Sequence, residues 1–134
     1  TPTRLAVQAP LLAANPDAIA LGLVEEFTSP ELPPEAAAQL APKPGHLEGW
    51  LAGAMLARRA TVDRVGPFDG TLPTGETVAW FARAKELTVP VHIAPTLVLR
   101  RRLHAHNFTR RQAATRSDYV QLARRLLEAR RRQP

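Results

Sequence analysis

The chain has 134 residues, a net charge of +6 and no cysteine, and 45% of its residues are hydrophobic. That length suits a single domain, and the lack of cysteine excludes disulfides and thiolate metal sites. No apolar run approaches the roughly 20 residues of a membrane span, and no charged-then-apolar leader opens the chain, so we expect a cytoplasmic protein. Arginine outnumbers lysine sixteen to two, which suggests a GC-rich bacterial genome.

The positive charge is concentrated near the C-terminus. Residues 100–132 hold eleven of the sixteen arginines and only two acids, Asp118 and Glu128. Such a segment is either a solvated tail or a surface that attracts phosphate, anionic lipid or nucleic acid. Only Phe108 and Tyr119 are interleaved with the arginines beyond residue 107. Two aromatic residues are too few for a base-stacking platform, so nucleic-acid binding is not expected.

Hydrophobic periodicity predicts alternating helices and strands in the first half. Residues 3–14 predict a short helix that Pro10 would kink or start. Residues 18–27 are apolar and then acidic, with the length of a buried strand. Residues 35–40, within a proline-rich stretch, can form one or two helical turns. The small apolar residues 51–57 predict another strand.

The second half continues the alternation. Residues 59–65 predict a helix that the Gly66-Pro67 pair ends, and Thr74 is expected to cap a helix over about 75–87. Residues 89–94 and 96–103 predict two strands separated by Pro95. Ser117 is expected to cap a long final helix to about residue 131, with an apolar stripe on one face. The fold class is therefore α/β, with a domain over 1–116 and a basic amphipathic helix and tail over 117–134.

A series of short motifs carries the clearest signal of ancestry. They stand at residues 49–53, 58–59, 65–69, 76–80, 83–84, 89–90 and 101–107. In this order and spacing they resemble the acceptor-side half of family 2 glycosyltransferases. The resemblance covers about residues 4–110 and implies a partial GT-A sheet flanked by helices.

The resemblance also shows what the chain lacks. In that family the nucleotide-binding half ends in an Asp-x-Asp metal site, and no Asp-x-Asp occurs in this sequence. The carboxylate base is expected where Thr77 stands, and a threonine hydroxyl cannot accept the acceptor proton at neutral pH. Glu76 would replace it only if the helix start were rotated, because adjacent helical residues point about 100° apart.

The resemblance places several side chains against substrate: Trp50, Trp80, Arg101, Arg102, His104 and Asn107. Trp50 is a candidate to stack on a sugar at the edge of the acceptor groove, and Trp80 either does the same or belongs to the core. His104, which follows the arginines, either faces a diphosphate or its metal or ends a strand in solvent. A metal site at His104 would need further protein ligands, because stable sites have three or four.

Two functions follow from these observations. The chain is the acceptor-side piece of a transferase, inactive alone, or it is a non-catalytic accessory or binding protein. A sugar nucleotide and a Mn or Mg ion are implied only if a partner supplies the missing half. Loss of that half would expose a sheet edge and an apolar face. We therefore expect a homo-oligomer or such a partner, joined through residues 18–24 and 51–56.

Overall fold

The structure is a computed structural model that describes residues 1–72 and 75–104. The predicted helix over 117–131, the tail, Thr74 and Asn107 lie outside the described residues. The elements in chain order are α1 (Arg4–Ala14), β1 (Ile19–Thr28), α2 (Pro34–Gln39), β2 (His46–Glu48), a 3₁₀ turn (Ala52–Ala54), β3 (Leu56–Ala57), α3 (Arg59–Val65), α4 (Glu76–Glu86) and β4 (Val91–Leu103). This is the mixed α/β fold that the sequence predicts.

β1 is the centre of a four-stranded mixed sheet. β4 runs parallel to it along its whole length, from Ile19 to Thr28. β2 and β3 are antiparallel to β1 and pair with successive parts of it. Because β4 takes one side of β1 along its full length, β2 and β3 share the other. The expectation that residues 18–24 form an exposed edge is therefore wrong.

β4 is a single strand where the sequence predicts two. Its register against β1 shifts twice, between Leu21 and Leu23 and again between Leu23 and Val24. Pro95 lies in the first of these irregularities. The regular pairing is already interrupted there, so the missing amide hydrogen of proline removes no hydrogen bond between the strands. Gly22 allows the close approach of β4 there, because a Cβ at this position would lie 2.4 Å from a methyl group of Val98.

Helices cover both faces of the sheet. On one face Leu12 of α1 packs against Ala18 and Ala20. On the other face Ile19 and Leu21 join the largest core cluster, which α3 and α4 complete with the side chains of Val65, Trp80, Phe81 and Ala84. β1 is thus buried on both faces, and its near-continuous apolar sequence is typical of a strand in this position.

The segment 51–57 forms a strand only at Leu56 and Ala57, and the longer strand predicted there is wrong. Two side chains of α1 bind its carbonyl groups instead. The Gln8 amide donates to Ala54 O at 2.7 Å and to Ala20 O at 2.9 Å. Arg4 donates to Gly53 O and Met55 O, both at 2.5 Å. Since these carbonyls are satisfied by α1, residues 53–55 need no neighbouring strand.

α4 ends in a Schellman motif, with Thr88 where glycine is usual. The Val89 amide donates to Ala84 O at 2.9 Å and the Thr88 amide donates to Lys85 O at 3.0 Å. The Schellman motif needs a left-handed backbone at the first residue beyond the helix cap, which is Thr88 here. Thr88 has a φ of 54°. A β-branched residue is strained there.

Gln8→Ala should lower the free energy of unfolding by about 2–4 kcal/mol, because two carbonyls in a buried site lose their donor. Leu5→Ala in the same helix is the control: Leu5 is 61% exposed, so a change within about 0.5 kcal/mol is expected. Urea unfolding measures both. Equal effects of the two substitutions would contradict the role of the Gln8 amide.

Thr88→Gly should raise the free energy of unfolding by about 0.5–1 kcal/mol. Glycine removes a left-handed penalty of about 1–2 kcal/mol, and its greater freedom in the unfolded chain offsets part of that gain. Thr88→Ala is the matched control, since it removes the hydroxyl but keeps the Cβ that causes the strain. Thermal unfolding that ranks alanine equal to glycine would show that the backbone is not strained.

Candidate functional site

Three of the motifs meet where α4 packs on the end of α3. The Trp80 indole donates from Nε1 to Gly66 O at 2.7 Å. Arg83 donates from Nε to Val65 O at 2.6 Å and from Nη2 to Pro67 O. These carbonyls at and beyond the last turn of α3 have no intrahelical donor. Side chains of α4 therefore cap α3, and we call this set of contacts the α3–α4 clamp.

Trp80 belongs to the core. Its side chain is 0% exposed, and its ring stacks on Phe68 with 5.2 Å between centroids. On its other side it meets Phe81 edge-to-face at 5.5 Å. With both neighbours aromatic and no exposed surface, Trp80 offers no face for a sugar ring, so of its two predicted roles the core role holds.

Trp50 is the exposed aromatic residue of the site. Its side chain is 44% exposed and meets Phe81 edge-to-face at 5.3 Å. Its Nε1 donates to Glu48 Oε2 at 2.8 Å. The hydrogen bond and the ring contact fix the orientation of the indole, so the side chain is a preformed contact surface.

Trp50 lies on an open apolar groove of about 590 Å³, which we call the Trp50 groove. Most of its lining comes from the outer side of α4 and from the chain entering β4. The lining residues are Trp50, Val78, Phe81, Ala82, Lys85, Thr88, Val89 and Val91. Lys85 is the only charged residue among them. The groove can therefore hold apolar groups, but these side chains include no carboxylate to act as a general base.

Glu76 and Thr77 occupy the first turn of α4 and are half-buried. Neither contributes to the lining of the Trp50 groove. A carboxylate in the first turn of a helix interacts favourably with the helix dipole, which gives Glu76 a structural role. Gly75, with φ of 86°, precedes the helix and makes no side-chain cap.

The arginines of β4 pair with acids of β1 and of the loop after it. Arg100 lies 2.7 Å from Glu25, Arg101 lies 3.0 Å from Glu26, and Arg102 lies 3.6 Å from Glu31. Arg100 also stacks over the Phe27 ring at 4.9 Å. The parallel register puts the two charged runs side by side. Arg101 and Arg102, predicted to bind substrate, are thus in ion pairs within the chain.

The structure separates the predicted site residues into two groups. Val91, at the groove, is level with Ile19, and Arg101 is level with Glu26. Seven residues of β1 separate these levels, a distance of about 23 Å at roughly 3.3 Å per residue. Val91 and Arg101 are therefore too far apart to contact one small ligand together. His104 follows the end of β4 and is half-buried.

The metal prediction finds no support in the described part of the chain. No group of three or more His, Asp or Glu residues within 1–72 and 75–104 is arranged to hold a metal ion. The same residues include no helix long and apolar enough to cross a membrane.

Comparisons with known proteins give no relative. No protein-family model, no curated protein and no solved structure matches the chain.

Sequence reasoning missed most of the residues that shape this site. Phe81 belongs to the largest core cluster and also lines the groove. Lys85 and Thr88 gave no signal, because one charged residue on a helix and one threonine after it are ordinary surface features. The acidic pair at residues 25–26 and the arginine run were both visible in the sequence, but only the parallel register shows that they are partners.

Trp80→Phe should destabilise the fold by about 2–3 kcal/mol, because Gly66 O loses its buried donor and the smaller ring leaves a gap. Trp50→Phe should cost less than about 1 kcal/mol, since Trp50 is partly exposed and a phenyl ring keeps the contact with Phe81. Urea unfolding followed by far-ultraviolet circular dichroism compares the two without relying on tryptophan emission. A larger loss for Trp50→Phe would contradict the assignment of Trp80 to the core.

Proposed function

We propose that the chain is a family 2 glycosyltransferase-like acceptor-side unit that does not transfer sugar by itself. The observation that carries the proposal is the α3–α4 clamp. Through it Trp80 and Arg83 of two motifs bind the carbonyls of a third. Motifs that lie apart in the sequence thus contact one another in the fold. This contact is expected if the motifs belong to one ancestral fold. The GT-A identity of the sheet is part of the same proposal.

The lack of transfer activity follows from chemistry that the chain does not supply. Removing a proton from an acceptor hydroxyl needs a basic side chain. Thr77 stands at the expected position, and its hydroxyl group is not a base at neutral pH. When the glycosidic bond to a sugar nucleotide breaks, a divalent ion held by oxygen ligands neutralises the charge of the diphosphate leaving group. The sequence has no Asp-x-Asp, and the residues the structure describes form no such ligand set. No reaction step is therefore assigned to this chain.

A second candidate is a non-catalytic accessory or binding protein. The Trp50 groove favours it, because an oriented indole beside aliphatic side chains provides contact area without reactive groups. In either case a homo-oligomer or a second chain that supplies the nucleotide-binding half belongs to the proposal.

Incubation of the purified chain with a panel of sugar nucleotides and Mn²⁺ should release no nucleotide above the buffer rate. The expected result follows from the absence of both the base and the diphosphate site. A luminescent assay for the released nucleotide measures it, with an active family 2 transferase as the positive control.

Glu76→Gln is the matched variant for this assay, because it removes the one carboxylate adjacent to the base position and keeps the side-chain size. Turnover by the natural chain that this variant abolishes would identify Glu76 as a base and overturn the proposal. Turnover that the variant retains would overturn it as well, since another group would then activate the acceptor.

A further inference from the structure

The Trp50 groove exposes apolar surface. Val78 is 50% exposed and Trp50 is 44% exposed, and both are large hydrophobic residues on the rim of one cavity. Covering such surface is favourable by roughly 25 cal/mol per Å². We infer that the Trp50 groove is the docking site of the chain's own basic amphipathic segment, residues 117–131. This inference is independent of the proposed function.

The sequence of that segment suits an apolar groove. Apolar residues recur with helical spacing and predict one stripe formed by Tyr119, Leu122, Leu126 and Ala129. Gln121 falls on the opposite side of such a helix. An amphipathic helix that lays anchors spaced by three and four residues into a hydrophobic groove is a recurring mode of recognition.

The connection is long enough. β4 ends level with Thr28, and Val91 in the groove is level with Ile19. These levels are nine residues apart on β1, or about 30 Å. Twelve residues, 105–116, join His104 to the segment, and an extended chain of that length spans up to about 40 Å. The segment can therefore reach the groove.

Charge favours the same occupant. Residues 1–104 carry ten acids and ten Lys or Arg residues, so the net charge of +6 belongs to residues 105–134. Two exposed acids adjoin residues of the groove lining: Glu48 accepts a hydrogen bond from the Trp50 indole, and Glu86 follows Lys85 in the chain. Lys85 is the local exception. These acids complement the arginines that flank the apolar stripe of the segment, whereas they would repel an anionic ligand.

Attachment to the same chain gives this segment an advantage over other apolar partners. A short connection produces an effective concentration in the millimolar range. At micromolar protein, the segment of the same chain therefore outcompetes the segment of a second copy, unless the geometry prevents the intrachain contact.

Engineered cysteines test the inference in the full chain, which has no cysteine of its own. Val78→Cys is combined in separate variants with Leu122→Cys and with Leu126→Cys. Each of two controls moves one of the two cysteines. The first combines Val78→Cys with Gln121→Cys, so that the segment cysteine lies on the other side of the segment. The second combines Leu122→Cys with Leu5→Cys, so that the groove cysteine is replaced by one in α1, on the opposite face of the sheet. Circular dichroism confirms that each variant is folded.

Mild oxidation at micromolar protein, followed by non-reducing electrophoresis and peptide mass spectrometry, gives the rate and the position of each disulfide. We expect an intrachain bond in at least one stripe variant to form about tenfold faster than in both controls, because docking raises the local thiol concentration. Equal rates in stripe and control variants would overturn the inference. Disulfide-linked dimers in place of the intrachain product would overturn it too, since the occupant would then be the segment of a second copy.

Discussion

The pairing of β1 with every other strand is the constraint on which the described part of the chain depends. β4 takes one side of β1, β2 and β3 share the other, and helices cover both faces. The surrounding elements are then fixed by side chains that reach backbone carbonyls. Gln8 ties α1 to β1 and to the 3₁₀ turn, and Trp80 ties α4 to the end of α3. The groove beside Trp50 is therefore positioned by contacts that begin at β1, even though β1 contributes nothing to its lining.

Much of this fold could be predicted from local sequence. α1, β1, α3 and α4 begin and end within one or two residues of the expected positions, because periodicity defines their length and the Gly66-Pro67 pair ends α3. The errors arise where the deciding partner is distant in sequence. Residues 51–57 have the composition of a strand, but Arg4 and Gln8 satisfy their carbonyls. Pro95 predicts an interruption, but β4 continues through it because the pairing with β1 is already irregular there.

The candidate site was harder to predict than the fold, for a physical reason. A motif gives the type of residue and its position in the chain, but not whether its polar atoms are already engaged. The indole of Trp80 and the guanidinium of Arg83 are used to cap α3, and Arg100, Arg101 and Arg102 meet acids 71 to 75 positions earlier in the chain. The exposed pairs of Arg100 and Arg102 contribute little to stability, about 0–1 kcal/mol each. Their effect is to lower the local potential that would otherwise attract an anion.

The irregular middle of β4 has a consequence for how the protein behaves at high concentration. Within residues 1–72 and 75–104, no strand pairs with β4 on the side away from β1. A long unpaired edge invites other chains to add strands and form aggregates. Here Pro95 supplies no amide hydrogen, the neighbouring register shifts twist the strand, and charged arginines follow toward its end. A foreign strand added to this edge would lack an amide donor at Pro95. A second copy of β4 added there would also bring its arginines close to those of the first. Pro95 and the arginines of β4 thus make this edge a poor template for the addition of a foreign strand.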